Sequence, residues 1–212
     1  MLDKTQRKYT WLTLSVIAGI LIIDQISKFL VKTNMFLGEE IEVFSWFKIL
    51  FVENNGMAFG MEMGSKLFLT LFRIVAIFFI GYYLYRLIKK NNNIKTGYLV
   101  SVSLIFAGAL GNIIDCLFYG IIFNAPRFPE IASLFPADGG YAGFMYGRVV
   151  DMLYFPLFEF VWPQWVPFVG GEYFEFFEPV FNVADSAITI GIALILIFYR
   201  KSLSFESSKI EE

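Results

Sequence analysis

Histidine is absent from this 212-residue chain, and cysteine occurs once, as Cys116. The first absence excludes Ser-His-Asp and Cys-His catalysis and any zinc site built on imidazole. The second excludes an internal disulfide and a thiolate metal cage. Charge is scarce as well: Asp, Glu, Lys and Arg make up 17% of the residues, against roughly 25% in a soluble domain. A net charge of −2 carries no basic footprint for nucleic acid. Proton-transfer chemistry is left to Asp, Glu, Lys and Tyr.

Apolar residues make up the balance, at 57% with 26 Phe, and the mean hydropathy is +0.62. Too few polar residues remain to coat a water-soluble surface, so a membrane is the expected solvent. Four apolar stretches, at residues 11–31, 67–88, 97–119 and 179–199, approach or exceed the about 20 helical residues that cross a bilayer core. The first begins too far in, and lacks a small-residue cleavage site, to read as a removable signal peptide. Ten of the 17 basic residues flank these stretches on one side. Lys4, Arg7 and Lys8 precede the first, Arg86, Lys89, Lys90 and Lys95 surround the short link at 89–96, and Arg200, Lys201 and Lys209 follow the fourth. The positive-inside rule makes that side cytoplasmic, with both termini inside.

The expected fold is therefore an all-α membrane protein, a single four-helix transmembrane bundle with two larger outer segments. In residues 32–66, Ile41-Glu42-Val43-Phe44 alternates apolar and polar, and the run 47–52 ends in the turn signal Glu53-Asn54-Asn55-Gly56. This predicts a small β-structure lying on the membrane. Residues 120–178 are rich in Pro, Gly and aromatics, which places them as a long interfacial segment. Asn91-Asn92-Asn93 reads as a plain polar turn, and the tail 200–212 as frayed.

Polar residues inside the apolar helices carry the functional signal. Asp24, Gln25, Ser27 and Lys28 sit near the outer end of the first span, Asn112 and Asp115 near that of the third, and Asn182 and Asp185 near that of the fourth. A charge at a helix centre costs about 2.5–3.5 kcal/mol, so three groups converging on one depth imply a shared polar pocket. Asp24 and Lys28, four apart, can pair along one face, and each Asn sits three residues before its Asp. Simpler readings exist for several of them. Asp24 with Lys28 could be a structural ion pair or a snorkelling lysine, and Asn112 an ordinary interhelical hydrogen bond. Arg73 reads as a headgroup or helix-end contact, and Met57, Met61 and Met63 as apolar filler. Asp185 has no basic neighbour on its own helix and needs a partner elsewhere.

Five motifs occur in order: Asp24-Gln25-Ile26-Ser27-Lys28, Asn54-Asn55-Gly56-Met57-Ala58-Phe59, Gly111-Asn112-Ile113-Ile114-Asp115, Val149-Val150-Asp151 and Phe181-Asn182-Val183-Ala184-Asp185-Ser186. Together they resemble the motif set of the lipoprotein signal peptidase (signal peptidase II) family, across all four spans and the first outer segment. The resemblance implies a bacterial inner-membrane aspartic peptidase with four transmembrane helices and a membrane-lying β-cradle. Such an enzyme removes the signal peptide of a prolipoprotein just before its diacylglyceryl-modified Cys, without a cofactor or metal. The family's catalytic aspartates fall on Asp151 and Asp185. Asp24, Lys28, Asn54, Asn112, Asp115 and Asn182 match positions that support site and substrate.

Two departures stand out. Cys116 occupies the place where the family usually has Arg, for which Arg148 or Arg127 would be the substitute. The usual place of the first catalytic Asp, nine residues beyond Asp115, is held by Asn124, which cannot act as acid or base. The local pattern reappears at Gly147-Arg148-Val149-Val150-Asp151-Met152, which suggests an insertion at 121–147 that loops out before the chain returns. Asp138, in an Ala-Asp-Gly-Gly turn setting, is the rival for Asp151.

On this reading the partners are a lipidated prolipoprotein and membrane lipid, with no nucleic acid, and the default state is a monomer. The aromatic segment 155–177 and the β-structure are expected to close over the substrate. Competing readings are a proton- or ion-coupled transporter, since intramembrane Asp and Lys also mark ion relays, and a non-catalytic scaffold.

Overall fold

The computed structural model describes residues 3–56, 66–90, 93–176 and 179–202. Met57, Ala58 and Phe59 of the second motif, together with Met61, Met63, Asn91, Asn92, Phe177 and the tail beyond Ser202, lie outside the described residues. Among the described residues, four helices are long and apolar enough to cross a membrane: α1 (Lys4–Asn34), α2 (Lys66–Lys90), α3 (Thr96–Ile122) and α4 (Val183–Ser202). α1 begins ahead of its apolar stretch because Asp3 caps it. The Asp3 carboxylate accepts from the Gln6 amide at 2.8 Å, while the Gln6 side chain accepts from the Asp3 amide at 3.2 Å.

α3 is the central helix, packing against α1, α2 and above all α4. The α3–α4 contact is close because small residues meet there. A Cβ on Gly108 would stand 2.2 Å from the Ala184 carbonyl oxygen, and one on Gly111 would stand 2.6 Å from Asp24 Oδ2. Outward-facing residues such as Trp11, Phe72, Phe78, Phe79 and Ile197 are exposed, as a lipid-facing surface requires. One apolar core (Tyr9, Leu87, Tyr98, Leu99, Val102) fills the bundle between its middle and the α2–α3 link. A second (Val31, Phe51, Phe123, Val150, Met152) joins the helices to a sheet at the other end.

That sheet comprises β1 (Glu40–Phe44), β2 (Phe47–Asn54) and β3 (Val149–Tyr154), antiparallel in the order β1-β2-β3. The hairpin β1–β2 lies where alternation and the turn signal put it. Its third strand comes from residues 120–178, for which the sequence suggests an interfacial segment. Nor does the 121–147 insertion loop out freely. It folds back on the end of α3: the Tyr141 amide donates to the Phe123 carbonyl at 2.9 Å and the Ala142 amide to the Gly120 carbonyl at 2.9 Å. The physical reason is apolar, since Phe123 and Ala132 are buried in the second core. Beyond β3, the aromatic segment forms a hairpin, β4 (Phe158–Val161) with β5 (Tyr173–Phe176), whose Trp165 and Phe168 are exposed.

If close approach of α3 and α4 positions the polar residues, Gly108→Ala must force them apart. A loss of about 1–3 kcal/mol is expected from overpacking, read as a lowered melting temperature in detergent micelles; an unchanged melting temperature would contradict the packing described.

Candidate active site

The sheet end of the bundle holds a continuous polar network around the Lys28 ammonium. Lys28 Nζ lies 2.9 Å from Asp24 Oδ2, 2.9 Å from Asp115 Oδ2 and 3.0 Å from Asn112 Oδ1, and all three charged side chains are fully buried. Further donors complete the two carboxylates. The Ala184 amide donates to Asp24 Oδ1 at 2.9 Å, the Val150 amide to Asp115 Oδ2 at 3.3 Å, and Gln25 Nε2 to Asp115 Oδ1 at 2.9 Å. One ion triad thus ties α1, α3, β3 and the first turn of α4 together.

Asn112 passes this order on. Its oxygen accepts from Lys28, so its amide nitrogen is the donor, and it donates to Asp185 Oδ1 at 2.7 Å. Asn182 performs the matching task for Asp151. It is the N-cap of α4, its oxygen accepting from the Asp185 amide at 2.9 Å. Its nitrogen donates to Asp151 Oδ1 at 2.6 Å. Asn54, at the end of β2, donates to Asp151 Oδ2 at 3.2 Å, and its own oxygen accepts from the Gly56 amide at 2.7 Å.

Backbone pairing explains why Asp151 lies near enough to Asp185 to feel its charge. β3 pairs with β2, Val52 opposite Asp151, and its other edge takes the residue leading into α4. The Leu153 amide donates to the Phe181 carbonyl at 2.7 Å, and the Phe181 amide returns to the Leu153 carbonyl at 3.1 Å. Phe181 is followed at once by the Asn182 cap, so strand and helix N-terminus share one anchor. Asp151, only 3% exposed, has its carboxyl pushed up to about 7, first by burial and then by the charge of Asp185. Hydrogen bonds from Asn54 and Asn182 act the other way and are outweighed. Asp185 also borders a largely apolar cavity of about 430 Å³, lined with Phe181, Ser186, Thr189 and Ile190.

The expected site residues Asp24, Lys28, Asn54, Asn112, Asp115, Asn182, Asp151 and Asp185 therefore stand in one network. Arg148 stands beside it, in a second cluster that sequence reading missed. Glu53 of β2, its side chain buried, pairs with the fully buried Lys32 of α1 and accepts from Arg148 at 3.1 Å. Lys32 also faces the rings of Phe51, Phe123 and Tyr141. The available signal was the four-residue repeat Asp24, Lys28, Lys32 on one face of α1.

The cation beside Cys116 is neither Arg148 nor Arg127. Arg148 is engaged by Glu53 and Arg127 is exposed, whereas Arg73 reaches across from α2 to donate to Cys116 Sγ at 3.2 Å. Asn124 braces the insertion, accepting from the Ser133 amide at 2.6 Å. Asp138 lies in an exposed turn.

The family profile for Signal peptidase (SPase) II matches residues 16–200. A protein of Porphyromonas gingivalis named lipoprotein signal peptidase is 54% identical over 190 residues, covering 90% of this chain and 83% of the relative. One from Amoebophilus asiaticus with the same name is 38% identical over 211 residues, covering 96% and 84%. A solved structure of a bacterial membrane enzyme superposes with a TM-score of 0.58 at 28% identity, covering 91% of this chain and 89% of that one. With four membrane-length helices among its described residues, the chain is a multi-pass membrane protein and belongs to the signal peptidase II family.

Proposed function

We propose that this protein is an aspartic endopeptidase that cleaves the signal peptide from diacylglyceryl-modified prolipoproteins just before the lipidated Cys, with Asp151 and Asp185 as its catalytic pair. The observation that carries the reading is the joint placement of the two carboxylates by β3 and the α4 cap, each held by an Asn that donates to it. The family membership and its named relatives support the substrate class. They give no support to an ion-coupled transporter.

Hydrolysis by two carboxylates requires one ionised and one protonated member at once. Asp151, with its proton affinity raised by burial and by its neighbour, is the member that keeps the shared proton. Asp185, bordering the cavity, is the base. It takes a proton from water, whose oxygen attacks the scissile carbonyl carbon while Asp151 polarises the carbonyl oxygen. Collapse of the tetrahedral intermediate breaks the C–N bond. The leaving amine takes a proton from the pair, and the new carboxylate stays on the signal peptide.

Proton count then belongs to the pair rather than to either residue. The network around Lys28 serves as scaffold, fixing Asn112 and through it Asp185. The hairpin β4–β5, with its exposed aromatics, is suited to lie in the headgroup layer and close over the substrate. In this reading the enzyme works in the bacterial inner membrane as a monomer. Its termini are cytoplasmic and its site lies at the outer face, where a lipidated Cys is held by its acyl chains.

Purified protein incubated with a lipidated prolipoprotein tests the assignment. Asp151→Asn and Asp185→Asn are each expected to reduce cleavage by about 10³-fold or more, and equal processing by wild type and both variants would end it. The pH profile follows from the shared proton. On the alkaline side kcat/KM is expected to fall as pH rises through about 7, where Asp151 loses its proton; a flat profile from pH 6 to 9 contradicts the mechanism.

Stability carries the same sign. Asp151 binds its proton more tightly folded than unfolded, so between its ordinary 3.8 and about 7 the folded state holds more protons. Unfolding free energy therefore falls as pH rises through that window. Asp151→Asn is expected to melt above the wild type at pH 8 and to lose that advantage below pH 4. A variant that melts lower at pH 8 would argue against a desolvated Asp151 beside a second carboxylate.

A further inference from the structure

Two cations at the sheet end of α2 take no part in either ion network. Lys66 opens the helix and Arg73 follows seven residues later, with Thr70 between them, so all three share one helical face. That face turns into the protein. Thr70 is buried, its hydroxyl donating to the Met145 carbonyl at 3.1 Å, and Arg73 Nη1 donates to Cys116 Sγ at 3.2 Å. The turn after β2 closes the other side: a Cβ on Gly56, whose φ is +90°, would stand 3.8 Å from Arg73 Nη2.

The Lys66 ammonium is buried there without a hydrogen-bond partner. The chargeable groups acting on it are Cys116 first, then Arg73, Arg148 and Asp115. Asp115 is engaged by Lys28 at 2.9 Å and Arg148 by Glu53 at 3.1 Å. Among the described residues no carboxylate lies within ion-pair distance of Lys66 or Arg73. A thiol is a weak acceptor and no counter-ion for a guanidinium. Two neighbouring cations without an anion repel each other, and burial removes the water that would screen them.

We propose that Lys66 and Arg73 form an anion subsite that seats the phosphate of a membrane phospholipid headgroup at the sheet end of the bundle. The guanidinium fork can meet two phosphate oxygens and the ammonium a third. α2 has the length and composition of a membrane span, so its first turns lie at headgroup depth. Exposed Phe68, Leu71, Phe72 and Val75 beside the subsite offer an apolar surface to the acyl chains. Inorganic phosphate shares the recognition chemistry and is the other possible source. The subsite does not depend on the roles of Asp151 and Asp185, and its test reads binding rather than cleavage.

The full chain in maltoside micelles is mixed with phosphatidylglycerol or with the diacylglycerol of the same acyl chains, and bound lipid is counted by native mass spectrometry. Phosphatidylglycerol is expected to stay bound and the diacylglycerol to be lost. Lys66→Gln and Arg73→Gln should each cut retention by about tenfold, the loss of one charge-assisted hydrogen bond. Lys66→Arg and Arg73→Lys keep the charges and should retain the lipid, which separates loss of charge from loss of fold. Equal retention of the two lipids by the wild type overturns the proposal and needs no variant to fold. Binding of inorganic phosphate without phosphatidylglycerol overturns the lipid assignment.

Discussion

The Lys28 ammonium, held between Asp24 and Asp115 with no access to water, is the constraint on which the architecture rests. Removing one partner from such a buried group strands a charge at a cost of about 3–5 kcal/mol, comparable to the whole stability of a small domain. The helices therefore have little freedom to rotate or slide. α1 contributes Asp24 and Lys28, α3 contributes Asp115 and Asn112, and α4 presents the Ala184 amide. One cation against two carboxylates leaves an excess negative charge, which is why Gln25 and the Val150 amide are drawn in as further donors. The Val150 contact extends the constraint from the helices to the strand that carries Asp151.

From that fixed point, order passes through amide side chains. An Asn is both donor and acceptor, so engaging its oxygen decides where its nitrogen points. Lys28 occupies the Asn112 oxygen and so directs its nitrogen to Asp185; the Asp185 amide occupies the Asn182 oxygen and so directs that nitrogen to Asp151. Neither amide carries charge. Each can thus hold a carboxylate in place without supplying the full positive charge that would bind its proton equilibrium to the ionised side, and Asp151 remains able to keep a proton near neutral pH.

This explains what could be read from the chain. Asp24, Lys28, Asn112, Asp115, Asn182 and Asp185 were legible because polar atoms in apolar helices must find partners, and spacings of three and four show which face they share. Asp151 was different. It lies in Val-Val-Asp-Met-Leu-Tyr, a strand buried along most of its length and so without the alternation that marks a half-exposed one. Resemblance located it, and its partner Asn54 is 97 residues away. The Lys32–Glu53–Arg148 cluster escaped notice for a related reason: a lysine at a helix end normally snorkels to water, and only the folded sheet and insertion reveal that it is enclosed by Phe51, Phe123 and Tyr141. Arg73 reaches Cys116 from another helix, a contact that no local spacing announces.

The insertion before Asp151 shows which features such a site can vary. Closing a longer loop adds little entropy cost, since the penalty grows only with the logarithm of its length. Placement of Asp151 depends instead on where its strand is pinned, by β2 on one edge and by Phe181 on the other. Both pins are backbone hydrogen bonds, indifferent to side-chain identity and to how many residues intervene since α3. Because Phe181 runs directly into the Asn182 cap, any shift of β3 along its ladder would move Asp151 relative to the very helix turn that carries Asp185. Register, rather than loop length, is therefore the quantity that must be held for the two carboxylates to share a proton as proposed.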